Sequence, residues 1–377
     1  MSHFRHAMLS PVLELVKSSV ESIPHGDHSF FQKLCSNETE SVLSDTLQLA
    51  EATDEQKQEA FELLGMINEA LSIFAKEAKN PAWIQMSPEE RYKKIQEIKE
   101  APQVPQRSAE WFRQYGKVLT ASEFSTIFLQ TKKRRDLIYS KVHPPEEMTN
   151  FKHACSTDDM TALGWGIRFE PVVKQLIEYH DKCKIYEAGR LNHKTNTHLA
   201  ASPDGVIEQA SNKAQLGRLI EIKCPYSRTI GKEIPYEYWI QMQIQMEVTD
   251  IDECEYVECD IVSRKAHQEG PVDLSGTTYQ GIVYVAQNEK ADTVYVFGEI
   301  GSDEMPELPE GFECVEVVPW GLKAWHRKLV SRDRAWYEAT KPWQESFWRD
   351  VETIKKGEEL PPLTPKLKAT ACLITDD

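Results

Sequence analysis

Residues Ser202 to Tyr226, SPDGVIEQASNKAQLGRLIEIKCPY, constrain this chain more than any other stretch. Asp204 is followed by Glu221 and then, with only Ile222 between, by Lys223. Side chains two apart on a strand share a face. Glu221 and Lys223 therefore project together while Ile222 packs the other way. Gly217 and the apolar Leu219, Ile220 and Ile222 suit a strand. Cys224-Pro225 ends it, because proline has no N–H to give the ladder. The polar run from Glu208 to Gln215 supplies a turn back towards Asp204. The expectation is a hairpin with two carboxylates and one ammonium converging at its rim.

Such a trio has the makings of metal-dependent phosphodiester hydrolysis. Carboxylate oxygens suit hard divalent ions such as Mg²⁺ or Mn²⁺. A bound ion lowers the pKa of a water and offsets charge developing on a phosphate. A neighbouring lysine can orient that water or stabilise the pentavalent state. Glu-x-Lys alone is also what an ordinary surface pair looks like. Asp204 in a Pro-Asp-Gly, seventeen residues before Glu221 and across a turn, strengthens the catalytic reading.

Flanking segments add candidates. Leu163-Gly-Trp-Gly-Ile-Arg-Phe-Glu170 opens a helix continuing through Val173, Leu176, Ile177 and Tyr179. Glu170 then falls on or near the buried face, where an acid is costly unless paired or metal-bound; favour from the helix dipole is the plainer reading. Pro235 to Val248 reads as a second helix, with Tyr238, Gln241 and Gln245 on one face and Met242 and Met246 on another. Arg107 to Arg113 and Lys117 to Ser122 bring cations and hydroxyls together, suited to a phosphate or, in the plainer reading, to a helix start capped by Thr120 or Ser122. Lys132-Lys-Arg-Arg135 is a DNA-backbone contact, a localisation signal or a solvated loop.

Strands are expected at 184–191, 198–201 and 253–262, with a hairpin of 279–286 and 293–298. From Pro319 to about Lys355 the chain reads as helical, its tryptophans packing that end onto the sheet. Residues 1 to about 100 also read as helical. Thr53 with Gln56 resembles a capping box, Ala60 to Phe74 carry an apolar stripe, and Ser87-Pro-Glu-Glu90 is a further start signal. Ala101 to Gln106 is a proline-bearing linker. The division expected is a helical region at 1–104, a catalytic domain at 105–355 and a flexible tail at 356–377.

A net charge of −16 argues against coating nucleic acid by bulk charge, although an acidic centre neutralised by metal remains compatible with it. Eight scattered cysteines without a CxxC point away from zinc or iron–sulfur and towards reduced thiols in an intracellular protein, cytoplasmic or nuclear. The N-terminus lacks the apolar core of a signal peptide, and no run approaches a membrane span.

The order Leu119-Thr-Ala-Ser122, Leu163-Gly-Trp-Gly to Glu170, Ser202-Pro-Asp-Gly205, Glu221-Ile-Lys-Cys-Pro225 and the Tyr238–Met246 helix resembles the lambda-exonuclease/YqaJ-type viral recombinase nucleases of the PD-(D/E)xK superfamily. The likeness runs over about residues 107 to 350. It implies an α/β, restriction-endonuclease-like core with a central mixed β-sheet flanked by helices, here with an N-terminal helical region added. It also implies two Mg²⁺ or Mn²⁺ ions and an activated water. By motif position Asp204 and Glu221 look like metal ligands, Ile222 lends its backbone carbonyl, and Glu170 is a further acid. Lys223 looks like the catalytic lysine and Gln241 the glutamine near the reaction centre, while Ser122 and Ser202 hold a terminal 5′ phosphate. Family members carry an arginine shortly before the Thr-Ala-Ser element; here Arg113 or Lys117 is the alternative.

The resemblance implies a 5′→3′ exonuclease on linear duplex DNA serving recombination or repair, a ring-shaped homotrimer and a single-strand annealing partner. Rival readings are an endonuclease or single-strand nuclease of the same superfamily, and a catalytically silent DNA-binding scaffold. Intact Asp204, Glu221 and Lys223 weigh against the last.

Overall fold

The computed structural model describes residues 86–105, 108–129, 131–144, 154–231 and 233–361. The expected helices before residue 86, Arg107 and the last sixteen residues lie outside that range. The chain divides into two compact units, one of Ala82–Ser125 with His143–Arg332, the other of Met1–Pro81, Thr126–Val142 and Asp333–Asp377.

The first unit is built on a seven-stranded mixed sheet in the order β2-β5-β6-β7-β10-β8-β9. Its strands are β2 (Cys183–Tyr186), β5 (Gly205–Ala210), β6 (Leu219–Lys223), β7 (Glu253–Ser263), β8 (Tyr279–Asn288), β9 (Thr293–Phe297) and β10 (Phe312–Ser331). Within this sheet, among the described residues, only β6 and β7 pair in parallel. A parallel pair needs a crossover, and helix Tyr236–Thr249 supplies it. A small second sheet places β4 (Leu199–Ala201) between β1 (Leu119–Thr120) and β3 (Leu191–Asn192). This is the α/β core with a central mixed sheet that the motifs implied.

Helices α1 (Pro88–Glu100), α2 (Ala109–Tyr115), α4 (Ala162–Asp181) and α5 (Tyr236–Thr249) belong to this unit; α3 (Lys132–Val142) belongs to the other. Alpha-helical spacing lets Trp165, Phe169, Val172, Val173, Leu176 and Ile177 of α4 form one buried stripe. That stripe shares a core with Ile220 and Ile222 of β6, Val257 and Cys259 of β7, and Val318 and Trp320 of β10.

Helix α1 starts at the expected capping box: Ser87 Oγ accepts from the Glu90 N–H, and Glu90 accepts from the Ser87 N–H at 2.7 Å. It lies in the same compact unit as the sheet although it precedes the Ala101–Gln106 linker. Within that linker Val104 exchanges both backbone hydrogen bonds with Arg190. In the other unit, α6 (Arg334–Ala339) and α7 (Lys341–Lys355) follow one another, Arg134 of α3 pairs with Asp350 at 2.6 Å, and Phe128 meets the rings of Trp336 and Trp343.

Three expectations change. The helix from Pro319 does not form: β10 runs to Ser331 and helix begins only at Arg334. Its first half pairs with β8 and its second with β7, overlapping from Trp320 to Leu322. Partners distant in sequence thus override the local reading, and Trp320 and Trp325 are strand residues. The expected 184–191 strand splits into β2 and β3, which join different sheets. The turn after Asp204 comes later than expected, since β5 extends to Ala210, and Gly217, expected in the strand, instead turns the chain into β6 at φ 79°.

Gly205 packs close to a neighbouring strand. A Cβ there would lie 2.3 Å from Ile185 Cγ2 on β2. Gly205→Ala is therefore expected to destabilise by about 1–3 kcal/mol in denaturant melts. Adding Ile185→Ala should make the two changes non-additive, with Gly205→Ala costing less in that background.

Candidate active site

Strand β6 sits between β5 and β7. Its alternation sends Ile220 and Ile222 into the α4 core, leaving Glu221 and Lys223 for the face towards α5. Glu221 is fully buried (0 % exposed). Its Oε1 accepts from the Lys223 ammonium and its Oε2 from Gln245 Nε2 of α5 at 2.6 Å. The Lys223 ammonium also lies 3.5 Å from Gln241 Oε1 and 4.7 Å from the centre of the Tyr238 ring. One helical face thus delivers Tyr238, Gln241 and Gln245 to the β6 pair, as their spacing predicts.

Asp204 enters from the residue before β5. Its Oδ2 accepts the Ile222 N–H at 2.6 Å, from the residue between Glu221 and Lys223. Asp204 thus lies against the strand that carries Glu221 and Lys223, near enough for the charges of both to act on it. Burial and then the like charges of Glu221 and Glu170 hold the Asp204 carboxyl well above the usual carboxylate range. Burial alone would lower Lys223, but Glu221 and Asp204 outweigh it and raise its pKa, keeping the ammonium charged. Burial pushes the adjacent Cys224 thiol well up, which leaves it an inert thiol.

Glu170 on α4 is half-buried and pairs with Lys174 at 2.8 Å; Lys174 also reaches Glu187 at 3.0 Å. Glu170 acts on Asp204 through its field and carries its own counter-charge. Ile222, expected to lend its carbonyl, lends its N–H to Asp204. Among the described residues no three Asp, Glu, His or Cys are gathered into one group that could hold a metal ion. Ammonium and amide hydrogens occupy both oxygens of Glu221 and one of Asp204. The donor set still suits a hard divalent cation. Its oxygens are carboxylate, their mutual repulsion is what a cation relieves, and Gln245 Oε1 is a buried acceptor without a hydrogen bond.

The hydroxyl segment adjoins this centre. β1 pairs in parallel with β4, Leu119 opposite Leu199 and Thr120 opposite Ala200. The Ala121 N–H still donates to the Ala200 carbonyl at 3.0 Å; the chain then turns at Ser122 and Glu123, while the chain after β4 runs on to Ser202. Thr120 is not a helix cap: its N–H and Oγ1 both donate to Glu123 Oε2, at 2.9 and 2.8 Å, and Ser122 Oγ lies 3.3 Å from Thr120 Oγ1. The Ser202 carbonyl accepts from Gln245 Nε2 at 3.4 Å.

Neither cation proposed for this corner is buried. Arg113 is 73 % exposed in its side chain and paired with Glu110 at 2.8 Å; Lys117 is exposed. Instead Arg190, preceding β3, is fully buried, donating to Gln114 Oε1 at 2.9 Å and to the Trp111 carbonyl at 3.2 Å. No charge pattern marks Arg190 in the sequence, where it is one basic residue in a mixed run. The role of Gln245 was visible as a shared face with Gln241, but not which of the two reaches the carboxylate. The six described cysteines are free thiols, and no described helix is long and apolar enough to cross a membrane.

The raised Asp204 pKa makes a stability prediction. A carboxyl whose pKa rises on folding favours the folded state when protonated, and that contribution is lost as pH rises from its unfolded value through its folded one. Ionised Asp204 is thus a cost to the metal-free protein at pH 8. Asp204→Asn keeps an oxygen for the Ile222 N–H, so it should raise the melting temperature at pH 8 without metal. That gain should shrink below pH 4. A lower melting temperature at pH 8 would contradict the assigned strain.

Residues 110–252 match the family model described as the YqaJ-like viral recombinase domain. Uncharacterized protein R354 of Acanthamoeba polyphaga mimivirus is 29% identical over 182 residues, 45% of this chain and 32% of that protein. The chain thus spans about a third of that relative's length. Among solved structures, an alkaline exonuclease (LHK-Exo) from Laribacter hongkongensis aligns at 19% identity and TM-score 0.40, covering 66% of this chain and 95% of that one. A phage related exonuclease from Haemophilus somnus 129PT aligns at 13% identity and TM-score 0.36, covering 64% and 96%.

Proposed function

We propose, from the match of residues 110–252 to the YqaJ-like viral recombinase domain model together with the geometry above, that the chain is a metal-dependent deoxyribonuclease that digests linear duplex DNA from 5′ ends during recombination or repair. The observation that carries this reading is the Asp204–Ile222 hydrogen bond, which draws Asp204 to the strand bearing Glu221 and Lys223.

Asp204 and Glu221 would hold Mg²⁺ or Mn²⁺, with Glu170 adding negative field and the Ile222 carbonyl available in the same strand. Two such ions, when bound, supply an activated water and neutralise charge on the scissile phosphate. Lys223 keeps its proton, because two carboxylates stabilise its charge. Moved off Glu221, that ammonium can donate to a phosphate oxygen as negative charge grows. Gln241 can hold the ammonium in place. The Thr120, Ser122 and Ser202 hydroxyls would donate to a terminal phosphate, with Arg113 or Lys117 as outer cations. This arrangement selects an end rather than an interior bond. A homotrimer and an annealing partner, as the resemblance implies, would extend this scheme.

End-labelled duplexes bearing 5′-phosphate or 5′-hydroxyl, beside a covalently closed circle, test the reading in Mg²⁺. The phosphorylated linear duplex should be digested fastest and the circle spared. Lys223→Ala should lose about 10²–10³-fold in rate, as removal of one transition-state donor does elsewhere. Cleavage of the circle would make the protein an endonuclease, and equal rates with Lys223→Ala would remove that lysine from the chemistry.

A further inference from the structure

We infer that Gln245 is the positioning residue of this centre: its amide orients the Glu221 carboxylate and ties it to the Ser202 segment. The inference rests on the nuclease reading above. Gln245 is fully buried. Its Nε2 donates to Glu221 Oε2 at 2.6 Å and, more weakly, to the Ser202 carbonyl at 3.4 Å. One amide thus joins the strand that carries the Glu-x-Lys pair to the loop that carries Pro-Asp-Gly.

Glu221 needs such a tether. It is buried among like charges, and its second oxygen is engaged by Lys223. A carboxylate held only by a mobile ammonium would turn whenever the ammonium left for substrate. A hydrogen bond from a neutral, buried amide fixes the rotamer without removing the negative charge that a cation needs. The partner oxygen of the same amide, Gln245 Oε1, is buried with no hydrogen bond. That leaves an acceptor for a water hydrogen beside the carboxylates, which an apolar side chain would not provide. Gln241, which sequence position favoured, does not touch Glu221 by any hydrogen bond found; it faces Lys223.

Outer-shell hydrogen bonds of this kind are worth about 10–100-fold in metal affinity. The test is calorimetric titration of the full chain with Mn²⁺ alone, with no DNA present. Gln245→Met keeps the volume and removes both donor and acceptor, and should weaken Mn²⁺ binding by about 10–100-fold. The control is Gln243→Met on the same helix, which breaks an equally buried amide bond, from Gln243 Nε2 to the Ser331 carbonyl at 2.9 Å, away from the carboxylates. It should lower the melting temperature and leave Mn²⁺ affinity as in the wild type.

Should Gln245→Met fail to fold, Gln245→Asn decides: its amide is one methylene short of Glu221 and should also weaken binding. Wild-type affinity in a folded Gln245 variant overturns the inference. So does equal weakening in the Gln243 control, which would make the effect merely structural. Failure of the wild type itself to bind Mn²⁺ would strike the nuclease reading beneath it, and is told apart because it appears before any substitution.

Discussion

The N–H of Ile222 is the group on which the centre depends. Strands β5 and β6 pair at Gly205 with Ile220 and Val206 with Leu219, and the hairpin closes through Ile207 with Arg218 and Gly217. Beyond Ile220, β6 runs on without a β5 partner, and a buried N–H left there would cost about 1–3 kcal/mol. The side chain of Asp204, from the residue just ahead of β5, completes the ladder in place of backbone. A requirement of sheet hydrogen bonding thereby fixes a carboxylate beside Glu221 and Lys223, and the sheet interruption becomes the site.

What the sheet gathers, electrostatics resists. Asp204 and Glu221 share a buried corner with the field of Glu170, and one lysine cannot satisfy all of them. The strain shows as a carboxyl held well above its normal range. Structural ion pairs elsewhere in the same unit behave in the opposite way. Asp181, held by Arg327, falls to about 2, and Asp250, held by Lys94 and Arg332, also falls to about 2. The contrast separates groups placed for stability from groups kept at a cost, and the latter are what a functional centre requires. Lys174 limits that cost by giving Glu170 its own counter-charge.

Period-two and period-three-to-four patterns made the centre legible from sequence: Glu221 and Lys223 on one strand face, the α4 stripe, and the glutamine face of α5 are all local properties. Strand β6, helix α5 and strand β7 followed from the same patterns, but not their parallel pairing. What escaped depends on partners far along the chain. Strand β10 takes its identity from β7 and β8, so its tryptophans looked like helix packing. The choice of Gln245 over Gln241 is set by about one helical turn of height against β6. The neutralisation of Glu170 by Lys174 is a local pair that competing roles for Glu170 obscured. Thr120 and Glu123, three residues apart, also form a local pair, in which the hydroxyl donates to the carboxylate and caps no N–H.

The central claim is that the carboxylates of Asp204 and Glu221 are a cation site now bridged by protein hydrogens. The most direct measurement is a crystal structure grown with Mn²⁺, with its anomalous difference map. The account predicts a peak within bonding distance of both carboxylates and the Lys223 ammonium displaced from Glu221. No peak at saturating Mn²⁺, with the Lys223–Glu221 pair intact, would contradict it.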